Sequence, residues 1–471
     1  MQKQIKLSEN ASLVEQVANI ILDGLKKSKP GDRILPERSL AEKYNVSRRT
    51  ASEAIRHLTN QGLLERKVGR GTYVSEKVQA DSSSPCALMN FVQTSLEYSF
   101  MEKILRQVNI ESKVIAAKYF HGNYSSIGDF LDLIKIRAQE RKAIDVVYVN
   151  EGLIPVMAES GIITPIGGLL KKSEALDINE FNPHLLKAYT YKGELYGIPQ
   201  VYSTNALFYN KDLFDKLSLS CPDSGWTWSD LSEAAKKLTY PEGVNGLKSF
   251  GLGFLPSNIN NFMPFFYQNC QAGKESEVFS SQEAEESARF LYDMVYTHKT
   301  CLFYSGDFLG SGVSFCELFK RGHLGMFQGL YSDYLELQKK CDFNWGICEL
   351  PHKKRKACSL PSQGWAVASA SASKQKSFSA IEKLMSQNIT DIYCKDYSRL
   401  PAYKIKKELY PETFIKALEY AIPARKAFPP YIECHNILID ELKLLFNGHA
   451  TPENFCRNIS ECLKINLTKA G

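Results

Sequence analysis

The side chains that could do chemistry near the start of the chain are basic. Residues 1–78 carry 15 Lys and Arg against 9 Asp and Glu, which is the whole net charge of +6, while the remaining residues carry 43 of each sign. A local excess of positive charge is typical of a module that contacts a polyanion. The sequence therefore predicts a small basic module followed by a large neutral one.

Hydroxyls and arginines at residues 47–50 follow one another in an order that suits contact with DNA. Ser47 is expected to cap a helix, because its hydroxyl can accept a backbone N–H at the start of that helix. Arg48 and Arg49 then lie in the first turn, which is the part of a recognition helix that reaches base edges, and Arg can bind guanine through two hydrogen bonds. We expect these arginines to read sequence, and we expect Ser47 and Thr50 to contact phosphates or bases.

Three helices are predicted to position these side chains. Apolar residues at helical spacing indicate a first helix over 12–27, a second helix follows Pro36, and a third runs from residue 47 to about residue 61. Two helices joined by a turn of about three residues are the signature of a helix-turn-helix.

A basic hairpin is predicted directly after the third helix. The segments 63–66 and 72–74 are strand-like, and Arg70 lies between two glycines at the tip. Such a hairpin after a recognition helix is a wing. We expect Arg70 to reach the minor groove or the backbone, and we expect Arg66 and Lys67 to add phosphate contacts.

The stretch 30–74 resembles the DNA-binding domain of the GntR family; it reads PGDRILPERSLAEKYNVSRRTASEAIRHLTNQGLLERKVGRGTYV. The resemblance implies contacts with double-stranded operator DNA from Arg38, Ser47, Arg48, Arg49, Thr50 and Gly69, to which the wing tip adds Arg70. Two positions depart from the family pattern. Pro36 stands where a capping Ser is common, which affects one phosphate contact, and Ser52 stands where Arg is frequent, which predicts an altered operator.

The chain is too long for one core, and a polar linker divides it. We expect a winged helix-turn-helix over residues 1–75, a linker over 76–85 and an effector domain over 86–471. Strand-like and helix-like segments alternate from residue 86 to about residue 150, which predicts a doubly wound α/β lobe. Asn150 and Glu151 follow the buried strand 144–149, where such sheets bind ligands. An ordinary polar loop explains these two residues equally well.

Five segments of the large domain resemble, in order, the family-1 type II periplasmic solute-binding proteins of carbohydrate ABC importers. They include IDVVYVNEGLIPVMAESGIITPIGGLL (144–170) and YKGELYGIPQVYSTNALFYNKDLFDKLSLSCPDSGWTWSDLSEAAKKLT (191–239); the others are 319–334, 363–386 and 446–465. The resemblance implies an α/β domain with two lobes and a ligand between them. By position, lobe one spans 86–200 and 351–400, and lobe two spans 201–350 and 401–471.

Ligand-facing positions follow from this resemblance and from what a sugar needs, which is an aromatic platform and a few amide or carboxylate partners. The candidates are Asn150, Glu151, Tyr202, Ser203, Asn205, Gln328, Tyr331, Trp365, Tyr431, Glu433 and His435. For each aromatic side chain a position in the core is an equal alternative. Trp226 and Trp228 are expected to pack on a lobe.

The remaining patterns limit the function. No catalytic motif, cofactor loop or zinc-like Cys/His spacing occurs, so we expect no enzyme, no cofactor and no metal. The chain has no apolar run of membrane length and no secretory signal at its start, so a cytoplasmic protein without membrane contact is expected. The twelve cysteines are expected to be reduced and mostly buried.

These observations favour a transcription regulator, a homodimer on DNA, whose operator binding is controlled by a small molecule, with a sugar as the expected effector. Two alternatives stay open at this point. The chain could be a solute receptor associated with a carbohydrate ABC transporter, or an α/β enzyme tethered to DNA.

Overall fold

The chain divides into two compact units, residues 1–85 and residues 86–471. The computed structural model describes residues 31–60, 64–67, 71–75, 88–90, 115–116, 144–240, 248–254, 259–274, 281–303, 314–396, 398–423 and 431–470, and singly residues 14, 17, 18, 21, 104 and 279.

The first unit is a winged helix-turn-helix, as predicted. Its described elements are α1 (Glu37–Tyr44), α2 (Arg48–Asn60), β1 (Leu64–Lys67) and β2 (Gly71–Val74). Residues 14, 17, 18 and 21, within the predicted first helix, are helical. Helix α1 ends at Asn45, which takes the left-handed conformation (φ 53°) and turns the chain toward α2. The core consists of apolar side chains from every element: Val17, Ala18, Ile21, Leu40, Ala41, Ala51, Ala54, Ile55, Leu58, Leu64 and Val74.

The wing strands β1 and β2 pair antiparallel from Leu64 opposite Val74 to Lys67 opposite Gly71. The segment before α1 extends this ladder, because the Ile34 N–H donates to the carbonyl of Thr72 at 3.0 Å. The tip residues Gly69 and Arg70 lie outside the described residues.

The larger unit alternates strands and helices. Its strands are β3 (Leu88–Asn90), β4 (Ile115–Ala116), β5 (Val146–Asn150), β6 (Thr190–Tyr191), β7 (Glu194–Leu195), β8 (Gly197–Tyr202), β9 (Ala206–Asn210), β10 (Phe250–Phe254), β11 (Cys301–Phe303), β12 (Leu324–Gly329), β13 (Trp345–Cys348), β14 (Cys358–Ser359), β15 (Ser362–Val367), β16 (Leu400–Pro401) and β17 (Ala421–Ile422).

Its helices are α3 (Ile154–Glu159), α4 (Gly167–Leu170), α5 (Pro183–Ala188), α6 (Lys211–Lys216), α7 (Trp228–Lys237), α8 (Ile259–Asn269), α9 (Gln282–Val295), α10 (Phe315–Lys320), α11 (Tyr331–Lys340), α12 (Lys374–Leu384), α13 (Gln387–Asp396), α14 (Glu412–Ala417), α15 (Tyr431–Phe446) and α16 (Pro452–Ala470). Short 3-10 turns cover Glu151–Leu153, Ile178–Glu180, Lys407–Leu409 and Leu418–Tyr420.

Two sheets define two lobes. Lobe one contains the six-stranded sheet β16-β8-β15-β5-β3-β4, and lobe two contains the five-stranded sheet β11-β10-β12-β9-β13. Each sheet mixes parallel and antiparallel pairs: β5 is parallel to β3 and antiparallel to β15, and β12 is parallel to β10 and antiparallel to β9. The near-continuous burial of β8, β9 and β12 is typical of strands covered on both faces.

The chain limits of the lobes differ from the predicted ones. The chain leaves the first sheet at Tyr202, not at residue 200, and enters the second at Ala206. Residues 351–357 were expected in lobe one, but the Lys354 N–H donates to the carbonyl of Gln268 in α8, which joins this segment to lobe two. Residues 400–401 pair with β8 and extend lobe one just past residue 400. These backbone pairings decide which lobe a connecting segment joins, and motif order does not reveal them.

Candidate functional site

The start of α2 is built by the cap that the sequence predicted. The Ser47 hydroxyl oxygen accepts the Thr50 N–H at 3.0 Å and lies 2.7 Å from the Thr50 hydroxyl. This cap satisfies a backbone donor of the first turn and keeps Arg48 and Arg49 on an ordered, exposed turn. Both hydroxyls are engaged with each other, so each has reduced hydrogen-bonding capacity for DNA.

The exposed arginines of this unit differ in their ionic partners. Arg38 pairs with Glu42 at 3.2 Å and Arg49 pairs with Glu53 at 3.1 Å, each one turn along its own helix. Surface pairs of this kind are weak, about 0–1 kcal/mol, so a phosphate can replace the carboxylate. Arg48 forms no ion pair with the described part of the chain.

Glu37 joins three elements of the unit. The Ser52 hydroxyl of α2 donates to Glu37 Oε1 at 3.1 Å, and the Arg66 guanidinium of β1 contacts the same oxygen. The carboxylate therefore ties helix α1 to both the recognition helix and the wing. Sequence reasoning did not single out Glu37, because only the folded chain brings positions 37, 52 and 66 together.

A cationic groove lies between α1, the start of α2 and the wing. It encloses about 430 Å³, and the charged side chains that line it are Arg33, Glu37, Arg38, Arg48, Arg66 and Lys67. Five cations against one carboxylate make this the electropositive part of the described surface of the unit. The predicted contacts Arg38, Arg48, Arg66 and Lys67 come together here, while Gly69 and Arg70 lie outside the described residues.

In the larger unit, the crossing after β8 carries polar side chains between the lobes. Ser203 is tied through its backbone N–H to the carbonyl of Pro361 at 2.9 Å, and the Asn205 amide donates to Asn261 Oδ1 at 3.2 Å. The Tyr202 hydroxyl, the Ser203 hydroxyl and Asn205 Oδ1 are buried and have no hydrogen-bond partner within the described chain. Burial also raises the pKa of Tyr202, so its phenol stays protonated.

Asn150 and Glu151 lie at the end of β5, and both are engaged within the protein. Asn150 Oδ1 accepts the Leu153 N–H at 3.2 Å and caps the short turn that follows. Glu151 is only 5% exposed, and its carboxylate accepts the Ser362 N–H at 3.0 Å. Their position at the carboxyl end of the strand is as expected, but these hydrogen bonds, to Leu153 and Ser362, belong to the fold.

Trp365 is not a surface platform, which corrects the prediction. Its side chain is fully buried in the core of lobe one, its ring lies 4.5 Å from that of Tyr148, and its indole N–H donates to Gln200 Oε1 at 2.7 Å. Successive side chains of a strand point to opposite faces, and β15 is buried on both, since Trp365 and its neighbour Ala366 are both buried. The sequence pattern of such a strand does not reveal which way a side chain points, and Trp365 packs into the core.

Gln328 is also placed differently from the prediction. Its side chain lines a cavity of about 10 Å³ together with apolar side chains that include Leu231 of α7 and Phe265 of α8. Both of its amide atoms are buried and lack a partner among the described residues. Gln328 therefore faces the interior of lobe two, in a space near the lower limit for one water molecule.

Tyr331 begins α11 and belongs to a group of aromatic rings, which we call the aromatic wall. Its ring lies 5.7 Å from Tyr410, 5.8 Å from Phe414 and 6.1 Å, nearly parallel, from Tyr334. Tyr334 and Tyr410 are half-buried, so they keep exposed ring surface. The wall was only partly predicted, since no motif marked Tyr334 or Tyr410. Tyr431, Glu433 and His435 begin α15, and their side chains lie outside the described residues.

Among the described residues, no group of three or more His, Cys, Asp or Glu could hold a metal ion. No described helix is long and apolar enough to cross a membrane. The ten cysteines whose side chains the structure describes are free thiols, seven of them buried.

A winged helix-turn-helix and a two-lobed α/β solute-binding fold thus occur on one chain. Residues 132–410 match the model of the family described as bacterial extracellular solute-binding protein, and the chain belongs to this family. Residues 13–74 match the model of the bacterial regulatory proteins of the gntR family. Both resemblances identified in the sequence are confirmed, as is the fold class.

Relatives and solved structures agree with this assignment. An arabinooligosaccharide-binding protein of Halalkalibacterium halodurans is 27% identical over 128 residues, which are 26% of this chain and 27% of the relative. An ABC substrate-binding protein of Listeria monocytogenes, solved with cycloalternan, matches with a TM-score of 0.63 and 22% identity over 81% of this chain and 98% of its own.

UgpB from Mycobacterium tuberculosis, solved with glycerophosphocholine, matches with a TM-score of 0.65 and 16% identity over 82% of this chain and 99% of its own. At this identity the structural matches show the fold. The chain spans between 27% and 46% of the length of the curated relatives it matches.

Proposed function

We propose that this protein is a DNA-binding transcription regulator whose operator binding is controlled by a small ligand, a carbohydrate, held between the lobes of the larger unit. The observation that carries the proposal is the presence, on one chain, of a winged helix with a cationic groove and of a solute-binding fold. A solute receptor alone has no use for the first unit, and a simple DNA-binding protein has none for the second.

The first unit supports DNA binding through its geometry. Arg48 and Arg49 project from the capped first turn of α2, the end of a recognition helix that enters the major groove. Arg38, Arg66 and Lys67 surround that turn and suit phosphate contact. We propose that Ser47 and Thr50 contribute as the cap that orients these arginines, and that Gly69 and Arg70 complete the wing contact.

The aromatic wall supports a carbohydrate as the ligand class. Tyr334 and Tyr410 keep exposed surface for the C–H faces of a pyranose, while Tyr331 is buried. The polar groups of Tyr202, Ser203 and Asn205 lie at the lobe crossing, where the Thr204 hydroxyl donates to the carbonyl of Phe414 in the wall at 2.9 Å. Two similar proteins, an arabinooligosaccharide-binding protein and a substrate-binding protein solved with cycloalternan, point to the same class.

Control of DNA binding would come from lobe closure. A ligand that binds the closed arrangement better shifts the population toward it by its differential affinity. A homodimer would place two recognition helices on half-sites about 34 Å apart, or a multiple of that, and closure would change their spacing. We propose that the protein acts in the cytoplasm, where its operator lies.

The test uses the full chain and two measurements. A panel of sugars is first screened for a rise in melting temperature, since a ligand that binds only the folded form stabilises it by mass action. Binding to the DNA upstream of the protein's own gene is then measured with and without any stabilising sugar. The proposal requires salt-sensitive DNA binding that the sugar changes; DNA binding that no stabilising sugar alters would refute ligand control.

The similarity to binding proteins, one of them an ABC substrate-binding protein, favours one alternative, a solute receptor of an ABC transporter. Mature protein found outside the membrane, cleaved near residue 80, together with no DNA binding by the full chain, would support it. Our proposal also implies binding without turnover, so a bound sugar should be recovered chemically unchanged. Its conversion to product would instead favour a catalytic domain.

A further inference from the structure

Arg33, which sequence reasoning passed over, has an unusual position in the cationic groove. The backbone of Arg33 pairs with that of Tyr73 in the wing, and the Arg33 guanidinium lies over Gly71. A Cβ at position 71 would meet Arg33 Nε at 2.7 Å, and Gly71 has a φ of +112°, which side-chain-bearing residues rarely adopt. The glycine thus provides the space in which the guanidinium lies.

The charge of Arg33 is not neutralised by the described residues. Three other cations of the groove have carboxylate neighbours: Arg38 has Glu42, Arg66 has Glu37 and Lys67 has Glu65 at 3.9 Å. Arg33 and Arg48 have no ion pair with any described residue, although both line the groove. An unpaired, exposed guanidinium in a concave basic surface is suited to a bidentate anion such as a phosphodiester.

We propose that this groove binds the backbone of duplex DNA, with Arg33 as a phosphate anchor and Gly71 as the residue that positions it. This rests on the proposed DNA-binding function and deepens it. Arg33 approaches from the wing side and Arg48 from the recognition helix, so a phosphate strand passing between them is held from both. Arg33 strengthens binding to any sequence, whereas Arg48 also reaches base edges.

The salt dependence of DNA binding distinguishes a phosphate anchor from a residue that has only a structural role. Each phosphate contact releases counterions and contributes about 0.9 to the slope of log K against log salt concentration on B-form DNA. Removal of a pure phosphate anchor therefore lowers this slope by about 0.9 and weakens binding by the same factor on every sequence. A residue with only a structural role would not change the slope.

The experiment compares full-length wild type, Arg33→Gln, Arg33→Lys and the control Arg321→Gln, an exposed arginine of the larger unit. Binding to a mixed-sequence duplex and to the upstream DNA is measured over a range of salt concentrations. We expect Arg33→Gln to reduce the slope by about 0.9 on both duplexes, and Arg33→Lys and Arg321→Gln to keep the wild-type slope.

A second variant tests the positioning role. Gly71→Ala keeps every charge but displaces the guanidinium, so it should reduce the slope in the wild-type background and have no further effect on it in Arg33→Gln. A wild-type slope in Arg33→Gln overturns the anchor while DNA binding stands. Absence of salt-sensitive duplex binding by the wild type overturns the proposed function and the anchor together.

Discussion

Replacement of Trp365 by Phe separates a core side chain from a ligand platform. The indole N–H donates to Gln200 Oε1 at 2.7 Å, and the other end of that amide donates to the carbonyl of Leu384 at 2.8 Å. The Gln200 amide is therefore held at both ends and cannot rotate to find another donor. Trp365→Phe leaves Gln200 Oε1 unpaired in a side chain with no solvent exposure.

The expected effect is a loss of stability. An unpaired buried acceptor costs about 1–3 kcal/mol, and the smaller ring leaves a cavity that adds about 1 kcal/mol. Urea unfolding of the variant should show a free energy of unfolding lower than that of the wild type by about 2–4 kcal/mol. The control Trp226→Phe, which shortens a half-buried ring in lobe two, should cost less.

Ligand affinity shows whether Trp365 is a core residue or a ligand contact. If Trp365 is a core residue, the folded variant should bind a sugar identified in the screen with an affinity within about threefold of the wild type. That factor corresponds to about 0.7 kcal/mol of binding free energy. Unchanged stability with a large loss of affinity would mean that the ring contacts the ligand.

Three further predictions concern other elements. Glu37→Gln should release Arg66 for contact with DNA, which tightens binding to mixed-sequence DNA and steepens the slope of log K against log salt concentration by about 0.9. The same change should lower the free energy of unfolding by about 1 kcal/mol. Weaker DNA binding at an unchanged slope would contradict this. Gly251→Ala places a Cβ 2.0 Å from a backbone oxygen of α7, so unfolding experiments should show a loss of about 3 kcal/mol, whereas Gly168→Ala, with open space, should cost less than about 1 kcal/mol. Burial raises the pKa of Asp333 to about 6, above its unfolded value of about 3.9. Protonated Asp333 therefore contributes to the free energy of unfolding at low pH, and this contribution is lost as the pH rises from about 4 to above 6. Asp333→Asn should remove about 1–3 kcal/mol of this pH dependence of stability.

Much of the first unit could be predicted because its signals are local. The hydroxyl of Ser47 caps α2 through a contact three residues away, and the helical spacing of apolar residues identified the buried stripe of that helix. Helix caps, turn residues and charge clusters depend on neighbours in the chain, so a sequence shows them directly.

The ligand site was predicted less well because its signals are not local. Motif order located Tyr202, Ser203 and Asn205 at a lobe crossing, and the structure places them there. The same approach misplaced Trp365 and Gln328, because both lie on strands that are buried on both faces. In such strands apolar and polar residues no longer alternate, so the pattern does not reveal the direction of a side chain.

The sequence by itself determined the two units, their families, the charge asymmetry and the recognition helix of this protein. Only the tertiary structure decided that Glu37 joins Ser52 to Arg66, that Arg33 lies over Gly71 in a cationic groove, and that Tyr331 belongs to a wall with Tyr334 and Tyr410. The physical reason is chain separation. These contacts join residues on different elements, and their distances are set by the packing of those elements.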